Sequence, residues 1–114
     1  MTAAEIRAAT LQQLLLTREK MMSTRWMLKL RTATSEQKQA SAMTLLQVQD
    51  AILKLQNAKL ADLRDKLTAN EQALGEGITS LKSSLRTIES IKVAVLAVGQ
   101  FLQIVGRVVR LLAA

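Results

Sequence analysis

The chain has 114 residues, a net charge of +7, and no cysteine, histidine or proline. The missing cysteine and histidine exclude disulfides, thiolate or imidazole metal ligands, a cysteine nucleophile and the usual general base of enzymes. Apolar residues make up 49% of the chain but aromatic residues only 2%, which favours packing by aliphatic helix faces over an aromatic-rich core.

The first predicted element, residues 1–33, is a basic amphipathic helix that spans about 3–31. Thr2 and Glu5 have the spacing of a capping box at its start. No secretory signal pattern is present in this segment, so we expect synthesis in the cytoplasm, with the protein membrane-associated or part of a larger assembly.

Towards its end this helix carries a face that combines basic residues with the only tryptophan. Such a face binds anionic lipid or nucleic-acid phosphates, or it is the edge of a core around a buried tryptophan. Both interpretations stay open from the sequence. The residues are Arg18, Arg25, Trp26 and Lys29.

The second predicted element is a coiled-coil helix within residues 34–74, with a second capping box at Thr34 and Gln37. Gln49 and Gln56 lie near the middle of its apolar face. They are either polar layers that set register in an oligomer or ordinary boundary residues.

A seven-residue repeat of aliphatic side chains begins in this helix and continues to the end of the chain. This is the period that coiled coils select, so the repeat predicts long helices that pack on other helices. Its members are Leu46, Leu53, Leu60, Leu67, Leu74, Leu81, Ile88, Val95, Leu102 and Val109.

Residues 75–77, with Gly75 and Gly77, are predicted to form a turn or hinge, because glycine commonly follows a helix C-terminus. The repeat passes through them without a phase shift, however. A continuous helix is therefore the alternative, at a cost of about 2 kcal/mol for two interior glycines.

The third predicted element, residues 78–114, is a coiled-coil helix with a strongly apolar C-terminal segment. Residues 93–106 carry no charge, but at about 1.5 Å per residue they are too short for a bilayer core of roughly 30 Å. Gly99 and Gly106 have the spacing that permits close helix packing.

A narrow polar strip runs along this third helix, and the remaining surface is apolar. An apolar arc this wide must be covered by lipid or by neighbouring subunits. The strip would then face water, a lumen or lipid headgroups. It consists of Glu89, Lys92, Gln100, Gln103, Arg107 and Arg110.

The basic surplus lies at both ends of the sequence. Residues 1–31 hold six cations and two carboxylates (+4), residues 75–114 hold five and two (+3), and the charges between them balance. Two separated basic regions suit membrane contact or assembly partners better than one continuous nucleic-acid stripe.

These patterns predict an all-α, elongated, self-associating protein, arranged as a helical hairpin or as three antiparallel helices. We expect a non-enzymatic homo-oligomer, without cofactor, metal or small-molecule substrate, whose C-terminal helix engages membrane or anionic lipid or lines a lumen, as in a pore. The alternatives are a soluble structural subunit of a tube, rod or collar in a virion or secretion apparatus, and a basic helical protein that binds nucleic acid.

Overall fold

A computed structural model describes residues 1–112, in which every regular element is an α-helix, so the predicted all-α class is confirmed. Short helices replace the three long ones that were expected. They are α1 (Ala3–Met21), α2 (Thr24–Arg31), α3 (Ser35–Asn57), α4 (Leu60–Ala69), α5 (Glu71–Arg86) and α6 (Ile91–Val105).

Both predicted capping boxes are present. Thr2 Oγ1 accepts a hydrogen bond from the Glu5 N–H at 3.1 Å, and Glu5 Oε1 accepts one from the Thr2 N–H at 2.9 Å. Thr34 and Gln37 form the same pair of bonds, at 3.1 and 3.2 Å. Each box satisfies backbone donors that the first turn of a helix leaves unpaired, which fixes the starts of α1 and α3.

The first predicted helix is divided at Met22 and Ser23. Ser23 has extended backbone (φ −75°, ψ 157°), and its hydroxyl accepts a hydrogen bond from the Trp26 N–H at 3.3 Å. A serine in this position caps a new helix. The chain therefore changes direction between α1 and α2.

The second predicted helix is divided at Ala58 and Lys59, which are both extended, and again at Asn70. Near the start of α1, Arg7 Nη1 donates a hydrogen bond to the Ala58 carbonyl oxygen at 3.1 Å. This bond satisfies a carbonyl at the end of α3, and it shows that α1 and α3 run antiparallel.

Gly75 and Gly77 lie inside α5, so the predicted turn at 75–77 is wrong; the chain reverses at residues 87–90. Gly77 is needed for close packing of α5 on α6. A Cβ atom at Gly77 would lie 2.9 Å from Ile104 Cδ1 and 3.0 Å from Phe101 Cδ1. The missing side chain of Gly77 therefore allows α5 and α6 to pack closely together.

Helices α1, α3, α6 and α5 form a four-cornered bundle in which each packs against two neighbours. Helix α4 leads into α5 and packs on α1, while α2 lies across one end of the bundle against α1 and α6. The molecule measures 44 × 25 × 18 Å. The expected elongated coiled-coil hairpin is therefore not the arrangement that the chain adopts.

The seven-residue repeat is divided between the interior and the surface. Leu46 and Leu53 on α3 are 47% and 57% exposed, and Leu60 and Val95 are half-buried. The other members of the repeat are buried in the core, but they lie on successive segments that run in different directions. Its buried members are Leu67, Leu74, Leu81, Ile88, Leu102 and Val109.

Candidate functional site

The outer side of α6 and its flanking residues carry the polar strip predicted from the sequence. Leu96 interrupts the strip and is 61% exposed. The opposite side of α6 packs against α3 and α5, so the same chain covers the apolar arc. The exposed strip residues are Glu89, Lys92, Gln100, Gln103, Arg107 and Arg110.

Two of the grooves beside α6 have volumes of about 480 Å³ towards α3 and about 270 Å³ towards α5. Gly99 lines the larger one, and a Cβ atom there would meet nothing within 4 Å. At Gly106 a Cβ atom would contact only carbonyl oxygens of its own helix. Within the chain, neither glycine makes the close helix contact expected of it; Gly77 does.

The predicted basic and aromatic face is split between core and surface. Trp26 is 0% exposed, and its Nε1 donates a hydrogen bond to Ser41 Oγ at 3.0 Å. Arg25 and Lys29 are exposed, and Arg18 is half-buried. Trp26 is therefore a core residue, in accord with the core-edge interpretation of this segment, and its ring is not available to stack on a ligand.

The outer face of α3 was predicted from the sequence as a packed face, and its exposure is what the sequence reasoning missed. Six residues at alternating spacings of three and four form a stripe without charge, which we call the α3 stripe. Five of them are exposed and Gln49 is half-buried. The stripe consists of Gln39, Ala42, Leu46, Gln49, Leu53 and Gln56.

The sequence does contain a signal that places the α3 stripe on the surface. Helix α3 contains a second periodic face of small and aliphatic residues, and that face is the one which packs inward. Because this second face supplies the core, Leu46 and Leu53 are left on the outside. The inward residues are Ser41, Thr44, Val48, Ala51, Ile52 and Leu55.

The segment that follows α6 is attached to α3 by polar contacts. Asp50 Oδ2 accepts a hydrogen bond from the Leu112 N–H at 3.0 Å, and Gln47 Nε2 donates one to the Leu112 carbonyl at 3.0 Å. Lys54 donates to the Arg110 carbonyl and forms an ion pair with Asp50 at 3.1 Å. These contacts hold Leu111 at one end of the larger groove.

Within residues 1–112 no three acidic side chains come together as a candidate metal site, and no helix has the length and apolar character needed to span a membrane. The fold and its surfaces define a small helical bundle whose distinctive features are helix faces and shallow grooves. Comparison with family models, curated proteins and solved structures gave no match to this chain.

Proposed function

We propose that the protein is a non-enzymatic structural subunit that self-associates by pairing the α3 stripes of two copies. The observation that supports this proposal is the exposure of Leu46 and Leu53, one heptad apart on the side of α3 that faces away from the core. Leucines at this spacing within a stripe of uncharged residues are typical of a helix that packs on another helix.

The α3 stripe is complementary to itself when a second copy runs antiparallel. Leu46 then faces Gln49 of the second copy, Ala42 faces Leu53, and Gln39 faces Gln56. A large residue against a small one fills space evenly, and two glutamine amides form hydrogen bonds with each other. Gln56, paired with Gln39, would thus be a register-setting polar layer of the kind considered from the sequence, whereas Gln49, opposite Leu46, would be a boundary residue.

The strength of this association is limited by the length of the stripe. From Gln39 to Gln56 it spans about 26 Å at 1.5 Å per residue. A single short helix face buries less than the roughly 800 Å² per partner of a standard stable interface, and its glutamine layers add little stability. We therefore expect a weak dimer unless further contacts build a larger assembly.

Membrane insertion or lumen lining by α6 is not the role that the geometry favours. That expectation required an uncovered apolar arc, whereas α3 and α5 cover this side of α6. The exposed side of α6 is the Gln and Arg strip, and its large exposed apolar side chains are Leu96 within the strip and Val93 beside it.

Sedimentation equilibrium from about 1 µM to 1 mM tests the proposal. The native chain should form dimers at the higher concentrations, and a double variant with Leu46→Gln and Leu53→Gln should remain monomeric. The matched control is Val93→Gln with Leu96→Gln, which removes two exposed aliphatic side chains from α6. A monomer at every concentration, or loss of dimers only in the α6 control, would contradict pairing through α3.

A further inference from the structure

The two basic regions of the sequence come together at one end of the bundle, which we call the α2 end. Here α1 and α5 finish, α2 crosses, and α3 and α6 begin. Residues 18–38 and 82–92 hold nine cations and three carboxylates, a surplus of +6 out of the +7 of the whole chain. The ion pairs of the described residues, Met1–Glu71 and Asp50–Lys54, involve none of these cations.

Helix α2 and Met22, which precedes it, add exposed apolar side chains to this positive end. Met22, Met27 and Leu28 are between 47% and 58% exposed. Cations mixed with exposed aliphatic side chains suit the interface of an anionic membrane. Single-stranded nucleic acid is instead held by exposed aromatic rings, and the two aromatic residues of the chain, Trp26 and Phe101, are both buried.

Near this end, a groove of about 270 Å³ lies between α1 and α5. Half of its lining residues are cationic and none is acidic. Lys20 and Arg86 lie in the last turns of their helices, where a cation also stabilises the helix dipole, but Lys82 lies before the last turn of α5. The lining residues are Gln13, Leu16, Lys20, Lys82, Leu85 and Arg86.

Gln13 provides a second, independent sign of a ligand in this groove. Its side chain is 3% exposed, and its Nε2 donates a hydrogen bond to Thr17 Oγ1 at 3.3 Å. Its Oε1 has no hydrogen-bond partner among the described residues. A buried acceptor without a donor is unfavourable and uncommon. A hydroxyl group entering the groove would supply the missing donor.

We propose that the α2 end binds a membrane surface containing anionic phospholipids with hydroxylated headgroups, of which phosphatidylglycerol is the simplest example. The lipid phosphate lies between Lys20, Lys82 and Arg86, and a headgroup hydroxyl donates a hydrogen bond to Gln13 Oε1. The exposed side chains of α2 contact the adjacent membrane interface. This binding site is separate from the α3 stripe and does not depend on self-association.

Vesicle flotation at about 0.1 M salt tests whether the cations of the groove, and not the net charge alone, bind the membrane. The double variant Lys82→Gln with Arg86→Gln should bind phosphatidylglycerol vesicles at least about tenfold more weakly than the native chain. The control, Arg64→Gln with Lys66→Gln, removes the same charge from exposed positions on α4, away from the groove. Its binding to the vesicles should be weaker than that of the native chain by about twofold or less. Circular dichroism checks that each variant is folded.

A lipid comparison tests the role of Gln13. The native chain should bind phosphatidylglycerol several-fold more tightly than phosphatidylethanol, which has the same charge but no headgroup hydroxyl, and Gln13→Met should abolish this preference. The comparison of the two lipids needs only the native chain, so it remains decisive if the variant does not fold.

Three results would overturn the proposal. They are no binding to either anionic lipid, equal losses in the groove variant and the α4 control, and no preference between the two lipids. Tighter, groove-dependent binding of a single-stranded oligonucleotide would also overturn it and would assign the α2 end to nucleic acid.

Discussion

Trp26 Nε1 on α2 donates a hydrogen bond to Ser41 Oγ on α3 at 3.0 Å, and both side chains are buried. This bond links the short helix α2 to the bundle. Replacing Ser41 with alanine leaves the indole N–H without a partner in a buried site, so we expect the free energy of unfolding to fall by about 1–3 kcal/mol. Urea denaturation followed by the fluorescence of the single tryptophan measures this loss.

The control for Ser41→Ala is Ser83→Ala, which removes an exposed hydroxyl from α5. That variant should have the stability of the native chain or slightly more, because alanine favours helix. If both variants had the same stability, the buried hydrogen bond would have no net effect on folding.

Gly75→Ala and Gly77→Ala are expected to have opposite effects, although both residues lie in α5. A Cβ atom at position 75 meets nothing within 4 Å, so the helix propensity of alanine should stabilise the protein by up to about 1 kcal/mol. At position 77 the Cβ atom crowds the buried Phe101 ring, and overpacking of about 1–3 kcal/mol should exceed that gain. Thermal unfolding of both variants measures the difference.

Gly99→Ala is an additional check on this explanation. Position 99 is also helical with open space around the Cβ atom, so it should behave like Gly75. Equal stabilisation at positions 75, 77 and 99 would show that α5 and α6 are not in close contact at Gly77.

The pKa of Glu5 is held below its usual value of 4.5, mainly by the hydrogen bond from the backbone N–H of Thr2 and then by the Thr2 side chain. A carboxyl group whose pKa is lower in the folded protein adds stability above its unfolded pKa, and this stability is lost as the pH falls through the lower, folded value. Glu5→Gln keeps an acceptor for Thr2 but cannot titrate. The difference in unfolding free energy between the native chain and this variant should therefore shrink below about pH 4.5 and be constant at higher pH.

Asp50→Ala should release the segment that follows α6. Asp50 accepts from the Leu112 N–H and pairs with Lys54, which in turn donates to the Arg110 carbonyl. We expect faster amide hydrogen exchange at Leu112 in the variant, because the local opening of this segment becomes easier. Asp65→Ala, an exposed carboxylate on α4, is the control and should leave exchange at Leu112 unchanged.

Local features were predictable from the sequence where neighbouring residues determine them. The capping box of Thr2 and Glu5 needs only residues three apart, and the α6 strip depends on one helical period. The segment 93–106 was predicted to be covered by lipid or neighbouring subunits, whereas α3 and α5 of the same chain pack on it. Its cover was not predictable, because a wide apolar arc does not specify whether lipid, another subunit or the same chain packs on it.

The breaks between helices and the distribution of the heptad repeat could not be read from the pattern. Ser23 and Ala58 interrupt apolar periodicities that continue on both sides of them, so the predicted helices ran through them. The repeat does not state which partner each leucine meets, and it therefore placed Leu46 in the same seam as Leu74. The positive α2 end likewise depends on topology, since residues 18–38 and 82–92 are distant in sequence.

Helix α1 packs on α3, α4 and α5, and all three are synthesised after it. At roughly 5–20 residues per second, several seconds pass between completion of α1 and completion of α5. Helix α3 is complete at Asn57, but until α5 is made the side of α1 that packs on α5 stays uncovered. A fragment that stops before α5 therefore exposes apolar surface that the finished bundle covers, and it should aggregate where the whole chain does not.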